Sequence, residues 1–391
     1  MSFKAPNNAL NCLSMTLSAL LWTGTAAFAD AGQPGASDWP MFRGGPRQTG
    51  IADANLPETL AVRWRFEARE AVGSSAAIVK DTVYIGDDMG FMYALGLADG
   101  KVRWKRKAGE IIRSSPTIVD GLVVFGDDEG TLHALDAASG KPKWSFVTEG
   151  QIISSTNHHE GRLVVGSYDG VVYCLSVKDG KPLWKVRTEG RVHGTPAIAE
   201  GYAVAAGCDE RLHVIELSTG KSIREISMGS VSGASAAVDG NHAYVGTYGG
   251  SLLALDWRAG RLVWAFKEPE RDFPVLSSAA VTENAVVVGG RDKRLRALDR
   301  QTGKPLWEFA TKGRIDSSPV VVGSRVYVGS YDGNLYGVSL AAGREFWRFE
   351  TGAPISASPA VGRGCLVIGT EDGLIYCLGG KEGPGDGQED R

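Results

Sequence analysis

Short apolar runs alternate with polar turns along most of the chain. One stretch shows the pattern clearly, with apolar runs at residues 112–119, 122–125, 131–135 and 142–146 separated by Asp-Gly or Ser-Gly-Lys turns. Runs rich in β-branched and aromatic residues that are joined by tight turns are typical of strands paired as hairpins. The pattern therefore predicts four-stranded antiparallel sheets and an all-β fold.

The four-strand pattern repeats with a nearly constant period. Tryptophan recurs in steps of 40, 40, 40, 80, 43 and 40 residues, and Arg224 stands at the skipped place. The seven repeat tryptophans are Trp64, Trp104, Trp144, Trp184, Trp264, Trp307 and Trp347. Because a single four-stranded sheet cannot bury both of its faces, eight such units predict a radial arrangement around an axis.

The ends of the repeat predict how the ring closes. It starts with an outer tryptophan strand at residues 62–67 and stops after the third strand of a unit at residues 375–378. An N-terminal strand that completes the last blade removes a free sheet edge. The sequence therefore predicts a single domain over residues 61–379, an eight-bladed β-propeller of four-stranded antiparallel blades with tryptophan docking, closed by the N-terminal strand.

Three segments flank the predicted propeller. Residues 1–29 combine one cation, an apolar stretch and small residues before Asp30, which predicts a signal peptide cleaved after Ala29 and a periplasmic or secreted protein. An uncleaved membrane anchor and a lipoprotein are the alternatives. Residues 30–60 are predicted to form an arm that residues 39–42 pin to the side of the barrel, and residues 380–391 a disordered tail.

Composition and charge narrow the possible partners. Of 391 residues, 43% are hydrophobic and 22% charged, which is typical of a soluble globular protein and excludes many membrane spans. Lys plus Arg number 42 against 45 Asp plus Glu, and no basic run stands out, so no nucleic-acid partner is expected. We expect a monomer with no membrane span after signal cleavage.

The cysteines are interpreted mainly as packing residues. Cys174 and Cys377 occupy a place that other repeats fill with alanine, such as Ala94 and Ala134, so small buried fillers are expected. Cys365 and Cys377 flank the last turn symmetrically, and this is the only pair for which we consider a disulfide.

Three segments resemble the repeat of a known family, the pyrroloquinoline quinone (PQQ) propellers. They are residues 135–144 (LDAASGKPKW), 298–307 (LDRQTGKPLW) and 326–333 (VYVGSYDG). The resemblance implies that each repeat tryptophan stacks between neighbouring blades, a structural docking role. The family includes quinoprotein dehydrogenases and noncatalytic members such as the barrel-assembly lipoprotein BamB of the bacterial outer membrane.

The residues favour the noncatalytic, BamB-like branch. Quinoprotein alcohol dehydrogenases usually carry an adjacent cysteine pair against the quinone, whereas this sequence has no Cys-Cys pair and no Cys-x-x-Cys-His haem site. The Glu, Asn and Asp ligands that hold Ca²⁺ in those enzymes match no positions here. We expect no catalytic residue, no cofactor and no metal; a PQQ-dependent dehydrogenase with PQQ and Ca²⁺ is the alternative.

One position varies where its neighbours repeat, immediately before the inner-strand serine. The eight blades show Gly73, Arg113, Ile153, His193, Gly233, Leu276, Asp316 and Ser356 there. These side chains are predicted to ring the mouth of the central channel. Arg113, His193 and Asp316 form a candidate site for a small anion, a peptide carboxylate or a sugar; solvated groups around a water-filled tunnel are the alternative.

Other candidates lie on the same face. An insertion creates the loop 267–274, in which Arg271 and Phe273 are candidate partner-binding residues. The turns between second and third strands collect acidic residues opposed by few cations such as Arg291; they include Asp87, Asp88, Asp127, Asp128, Asp169 and Glu371. This acidic rim either attracts a cation or a basic partner, or caps the turn backbone.

These observations predict an exported, noncatalytic β-propeller scaffold of the cell envelope. Its expected role is that of a BamB-like protein–protein interaction module with a protein partner. A PQQ-dependent quinoprotein dehydrogenase and a carbohydrate or small-ligand binding module are the alternatives.

Overall fold

Thirty-two strands form eight four-stranded antiparallel sheets in the residues that the computed structural model describes, which are 1–2, 37–269 and 272–380. Each sheet is a meander of strands that are adjacent in sequence, except for the last, so the predicted all-β, eight-bladed propeller is confirmed. All strands belong to the compact unit Gly32–Arg391. Residues 3–29 of the predicted signal peptide and 381–391 of the predicted tail lie outside the described residues.

The chain fills the ring blade by blade. After the 3-10 helix Phe42–Gly44 and strand β1 (Ala61–Glu67), blades 1 to 4 comprise β2 (Ala77–Val79), β3 (Thr82–Gly86), β4 (Phe91–Gly96), β5 (Val102–Lys107), β6 (Thr117–Val119), β7 (Leu122–Gly126), β8 (Thr131–Asp136), β9 (Pro142–Val147), β10 (Asn157–His159), β11 (Arg162–Gly166), β12 (Val171–Ser176), β13 (Pro182–Arg187), β14 (Ala197–Ala199), β15 (Tyr202–Ala206), β16 (Arg211–Glu216) and β17 (Ser222–Ser227). Blades 5 to 8 comprise β18 (Ala237–Asp239), β19 (His242–Gly246), β20 (Ser251–Asp256), β21 (Arg261–Lys267), β22 (Ala280–Val281), β23 (Ala285–Gly290), β24 (Arg294–Asp299), β25 (Pro305–Ala310), β26 (Val320–Val322), β27 (Arg325–Gly329), β28 (Asn334–Ser339), β29 (Glu345–Glu350), β30 (Ala360–Gly362), β31 (Cys365–Gly369) and β32 (Leu374–Gly379).

The ring closes as predicted. β1 is the outer strand of blade 8 and pairs antiparallel with β32, with Ala61 opposite Gly379 and Glu67 opposite Leu374. Both ends of the propeller therefore lie in one sheet, and the hydrogen bonds of that sheet hold the ring shut.

The repeat tryptophans dock each blade on the next. The indole Nε1 of Trp64 donates to the Leu97 carbonyl oxygen at 2.8 Å, and that of Trp104 donates to Ala137 at 2.8 Å. Six of the seven rings also lie against the turn glycine of the next blade, and Trp347 is the exception: a Cβ on Gly100 would meet the Trp64 ring at 2.7 Å. All seven repeat tryptophans make the corresponding hydrogen bond to a carbonyl oxygen in the next blade.

Blade 4 lacks its tryptophan, and the neighbouring blade compensates. Arg224 stands in the repeat position against Gly260 of blade 5. Trp257 of blade 5 is only 2% exposed, packs against Tyr202 with ring centroids 5.6 Å apart, and donates from Nε1 to the Gly240 oxygen at 3.0 Å. The aromatic area lost from blade 4 is thus replaced from the other side of the interface.

The N-terminal arm was predicted to lie on the side of the barrel, and this prediction is wrong. The arm follows the inner strands around the channel. Ile78 of blade 1 and Trp39 exchange backbone hydrogen bonds at 2.7 and 2.8 Å. Further along the arm, backbone amides of the inner strands donate to arm carbonyl oxygens: Ile118 to Pro40, Ile198 to Pro46, Val238 to Arg47, Val281 to Thr49 and Val321 to Gly50. Inner strands expose unpaired amides toward the axis, and a chain laid across them satisfies these groups.

Arg43 anchors the arm at the channel floor. Its side chain is 2% exposed and donates to the carbonyl oxygens of Pro319 at 2.7 Å and Ala279 at 2.9 Å. Burial lowers the pKa of Arg43 to about 9. Gly50 makes room for it, because a Cβ there would lie 1.8 Å from the guanidinium, and its φ of +66° suits glycine.

Candidate functional site at the channel mouth

A cavity of about 570 Å³ occupies the centre of the ring. Its lining includes all eight residues of the variable position: Gly73, Arg113, Ile153, His193, Gly233, Leu276, Asp316 and Ser356. The structure therefore brings Arg113, His193 and Asp316 to one opening, as the repeat alignment predicts. Phe42 of the arm also lines the cavity, so the arm contributes to the far end of the channel.

Two residues after the variable position, each blade carries a serine or threonine, and the eight hydroxyl groups form a ring. The backbone amide of this residue in one blade donates to the hydroxyl oxygen of the equivalent residue in the next blade, for example Ser75 to Ser115 at 3.1 Å and Ser155 to Thr195 at 3.0 Å. The ring runs through Ser75, Ser115, Ser155, Thr195, Ser235, Ser278, Ser318 and Ser358 and returns to Ser75. Each oxygen accepts an amide proton and retains its own O–H, so the cavity wall presents hydroxyl donors.

Arg113 and Asp316 are each paired with a neighbour that the sequence placed in or beside the acidic rim and not at the channel mouth. Arg113 Nη1 donates to Asp128 Oδ2 at 2.8 Å. Asp316 accepts two hydrogen bonds from Arg291, at 2.8 and 2.9 Å, and one from Arg314 at 3.2 Å. Neither predicted residue is therefore a free charge, and the bidentate Arg291–Asp316 pair is held in fixed geometry.

His193 is neutral at physiological pH. Burial, and then the positive charge of Arg113, lower the pKa of His193 below its usual value. Its Nδ1 lies 2.5 Å from the hydroxyl oxygen of Tyr168. The imidazole therefore takes part in hydrogen bonding at the rim and does not add a cation to it.

The carboxylates of the rim are only partly compensated. Burial raises the pKa of Asp88 to about 6, and Glu371 and Asp128 act in the same direction against Arg113. Asp88 Oδ1 and Asp128 Oδ1 are buried and accept no hydrogen bond from the described residues. Glu371 accepts a hydrogen bond from a serine hydroxyl of the rim. This sector of the mouth therefore carries several carboxyl groups, and two of their oxygens have no hydrogen-bond partner among the described residues.

These partners share one variable repeat position. Two places after a repeat position that is glycine in every blade except for Ala206 in blade 4, the blades carry Asp88, Asp128, Tyr168, Cys208, Tyr248, Arg291, Tyr331 and Glu371. This place varies as strongly as the one before the inner serine, and six of its residues line the cavity. The same alignment would have identified them, because variation within a strict repeat marks positions that the fold does not fix.

The acidic turns are mostly occupied by their own backbone. Asp87 is 0% exposed, and its Oδ1 accepts from the amides of Met89 at 3.1 Å and Phe91 at 2.8 Å. Its Oδ2 accepts from the Tyr93 hydroxyl at 2.7 Å. Asp127 repeats the arrangement with two backbone amides and a histidine. The acidic rim is therefore chiefly a set of turn caps.

The loop 267–274 carries an exposed aromatic side chain. Phe273 is 51% exposed and borders a small cleft between blades 5 and 6. Lys267 and Asp272 form an ion pair at 2.7 Å across this loop. Arg271, the other candidate in the loop, lies outside the described residues.

The lining does not fit a PQQ and Ca²⁺ site. PQQ carries three carboxylates and needs cationic partners, yet the cavity guanidiniums of Arg113 and Arg291 are already neutralised by Asp128 and Asp316. The remaining charged groups, Asp88 and Glu371, repel an anion. Among the described residues no cluster of three or more His, Cys, Asp or Glu side chains is placed to hold a metal ion.

Asn157 in the first strand of blade 3 holds the arm, at a place where blade 2 carries Thr117. The Asn157 amide nitrogen donates to the carbonyl oxygens of Pro46 at 2.7 Å and Pro196 at 2.9 Å. This asparagine therefore has a structural role.

Fold and site together define an eight-bladed propeller of the PQQ-repeat class with a polar, hydroxyl-lined channel mouth. The sequence profile of the outer membrane protein assembly factor BamB matches residues 52–158, 150–272 and 265–384. The chain therefore belongs to the BamB family. Comparison with curated protein sequences gave no match.

Solved structures of both branches share the fold. BamB from Moraxella catarrhalis is 21% identical, with a TM-score of 0.71 over 83% of this chain and 99% of that one. A europium-containing methanol dehydrogenase is 14% identical, with a TM-score of 0.74 over 88% of this chain and 98% of that one. The quinohemoprotein alcohol dehydrogenase of Comamonas testosteroni is 14% identical, with a TM-score of 0.77 over 91% and 82%. In the described part of this chain, none of the helices has the length and apolarity to cross a membrane.

Proposed function

We propose that this protein is an exported, noncatalytic propeller that binds a protein partner in the cell envelope, as a BamB-like interaction module. The observation that carries the proposal is the family match, which runs from residue 52 to residue 384 and so includes every blade. The match concerns the repeat scaffold; the binding face has to be argued from this chain's own surface.

The channel-mouth face is the proposed binding face. Three large apolar side chains are exposed on its loops: Met89 at 48%, Tyr248 at 42% and Phe273 at 51%. Methionine and aromatic residues are enriched at protein interfaces, and of these three Tyr248 also lines the polar cavity. Most other exposed apolar residues, such as Leu306, lie on the outer strands.

The chemistry of the cavity supports the noncatalytic part of the proposal. The two cavity guanidiniums are paired with carboxylates, and the lining offers no free cation for a tricarboxylate quinone. A second candidate function, a carbohydrate or small-ligand site, is favoured by the ring of hydroxyl donors that lines the cavity.

Site-specific photocrosslinking in the native envelope tests the partner. A photoreactive residue at Tyr248 or Phe273 is expected to give one discrete protein adduct, whereas the same residue at the equally exposed Leu306 on an outer strand gives none. Adducts of equal yield at all three positions, or at Leu306 alone, would refute the binding face.

Calorimetry separates the other functions. Titration with PQQ and Ca²⁺, with dye-coupled alcohol oxidation measured in parallel, is expected to show neither binding nor turnover. Saturable one-to-one binding with turnover would make the protein an enzyme. For the small-ligand function, the joint replacement of Arg113, His193 and Asp316 by alanine should abolish binding of any sugar that the wild type binds.

A further inference from the structure

Two cysteines lie side by side in the closing blade. Cys365 and Cys377 are free thiols and both are 0% exposed. The symmetric spacing around the turn predicts that the two cysteines face each other directly, but they do not. Cys365 pairs with Gly379, and Cys377 pairs with Val367. They are diagonal neighbours on one face of the hairpin.

The N-terminal strand brings a cation to this pair. Arg63 Nη1 donates to Cys365 Sγ at 3.2 Å. The guanidinium reaches the sulfur across Gly379, where a Cβ would lie 2.4 Å from Arg63 Nε. Blade 1 contains the oxygen counterpart, in which Arg103 Nη1 donates to Thr82 Oγ1 at 2.8 Å. Ring closure therefore completes a cation–thiol contact that neither end of the chain has alone.

The two sulfur atoms differ in acidity for physical reasons. The neighbouring Cys377 thiol, and then the charge and hydrogen bond of Arg63, lower the pKa of Cys365 against the effect of burial. The neighbouring Cys365 sulfur and burial raise the pKa of Cys377. A thiolate beside a thiol and a cation is the arrangement that favours exchange chemistry.

Cys174 shows that the repeat position alone does not create this arrangement. Like Cys377, it stands opposite a repeat tryptophan on the neighbouring strand. In blade 3, Arg162 occupies the place that Cys365 holds in blade 8, so Cys174 has no partner thiol. Burial raises the pKa of Cys174 to about 12. It is the matched control within the same molecule.

We propose that Cys365 and Cys377 are a reactive dithiol that is converted into a disulfide by thiol–disulfide exchange, with Arg63 as the positioning residue. When local opening of the closing blade exposes Cys365, its thiolate attacks one sulfur of an external disulfide, RS–SR, and one RS⁻ leaves. Cys377 then loses its proton, its sulfur attacks the Cys365 sulfur, and the second RS⁻ leaves. Two S–H groups become one S–S bond, and RS–SR is reduced to two RSH. This inference does not depend on what the protein binds.

Refolding in a glutathione redox buffer tests the pairing. The reduced, unfolded protein is refolded with oxidised glutathione, quenched with acid, alkylated in denaturant and mapped by mass spectrometry. We expect a crosslink between the Cys365 and Cys377 peptides in the wild type and in Cys174→Ala. In Cys377→Ala, which installs the residue of four other blades, Cys365 should instead carry glutathione. Separate alkylation of both cysteines in the wild type, or a crosslink that includes Cys208, would overturn the proposal.

Two further measurements remain informative if a variant folds poorly. Dithiothreitol should lower the thermal midpoint of the oxidised wild type by several degrees, and it should lower that of oxidised Cys174→Ala by the same amount. An unchanged wild-type midpoint contradicts a stabilising crosslink in the closing blade. For Arg63, the midpoint of the pH profile of Cys365 alkylation should rise in Arg63→Ala and return toward the wild type in Arg63→Lys; a profile that does not move removes Arg63 from the mechanism.

Discussion

The hydroxyl ring makes a quantitative prediction about stability. In blade 7, Ser318 Oγ accepts the backbone amide of Ser278 at 2.9 Å, and both residues are almost fully buried. The substitution Ser318→Ala removes that acceptor and leaves the Ser278 amide without a partner from the protein. Ser318→Thr keeps the oxygen, and Thr195 shows that the ring already accommodates threonine.

The magnitude follows from the burial of the orphaned amide. A buried donor that loses its acceptor destabilises the folded state by about 1–3 kcal/mol. The cavity has room for water, which can partly replace the lost oxygen, so we expect the lower half of that range, about 1–2 kcal/mol. For a domain of this size that corresponds to a fall of roughly 2–3 °C in Tm.

Urea unfolding, supported by thermal scans, measures the effect. The midpoint should fall in Ser318→Ala with an unchanged m-value, while Ser318→Thr stays close to the wild type. Equal midpoints for Ser318→Ala and the wild type would refute the reasoning, since the ring would then contribute nothing to the free energy of unfolding. A larger loss in Ser318→Thr than in Ser318→Ala would show that side-chain volume, and not the acceptor, controls stability at this position.

Two further predictions concern the channel floor and the rim. Gly50→Ala should destabilise the protein strongly by displacing Arg43. Gly45→Ala is the control and should leave Tm nearly unchanged, because Gly45 has an extended φ of −170° and no atom lies within 4 Å of the new Cβ. Equal effects of the two substitutions would contradict the role of Gly50. Because burial raises the pKa of Asp88 to about 6, the native state holds that proton more tightly than the unfolded chain does, and stability is lost as pH rises through this window. Asp88→Asn should therefore be more stable than the wild type at pH 7.5, with the difference vanishing near pH 4. Asp332→Asn should show the opposite sign at pH 7.5, because hydrogen bonds outweigh burial and hold the pKa of Asp332 below its usual value.

The repeat made the fold predictable, and the same logic reached part of the site. Eight copies of one pattern give the strands, the blade count and the closing strand, because each blade must solve the same packing problem. The ring of residues from Gly73 to Ser356 followed from comparing one position across the copies. The partners Asp128 and Arg291 stand at a second variable position, but the turn motif around them placed them with the acidic rim and not with the channel mouth.

Features that lie outside the repeat could not be predicted from the sequence. The arm has no period, so its path depends on where the inner strands leave unpaired amides. Trp257 likewise escaped notice, since it belongs to no tryptophan series and compensates for Arg224 across an interface. Contacts that the ends of the chain make after closure, such as that of Arg63 with Cys365, depend on three-dimensional register and not on spacing.

The path of the arm has a consequence for how the blade number is maintained. Between Ser37 and Ala52 the arm meets blades 8, 1, 2, 3, 4, 5, 6 and 7 in that order, through backbone groups and the Asn157 side chain. A gain or loss of one repeat by unequal recombination would leave each blade intact but would put every later contact of the arm one blade out of step. The length and sequence of the arm thus match a ring of eight blades. A seven- or nine-bladed descendant of this chain would need a different arm to make the same contacts.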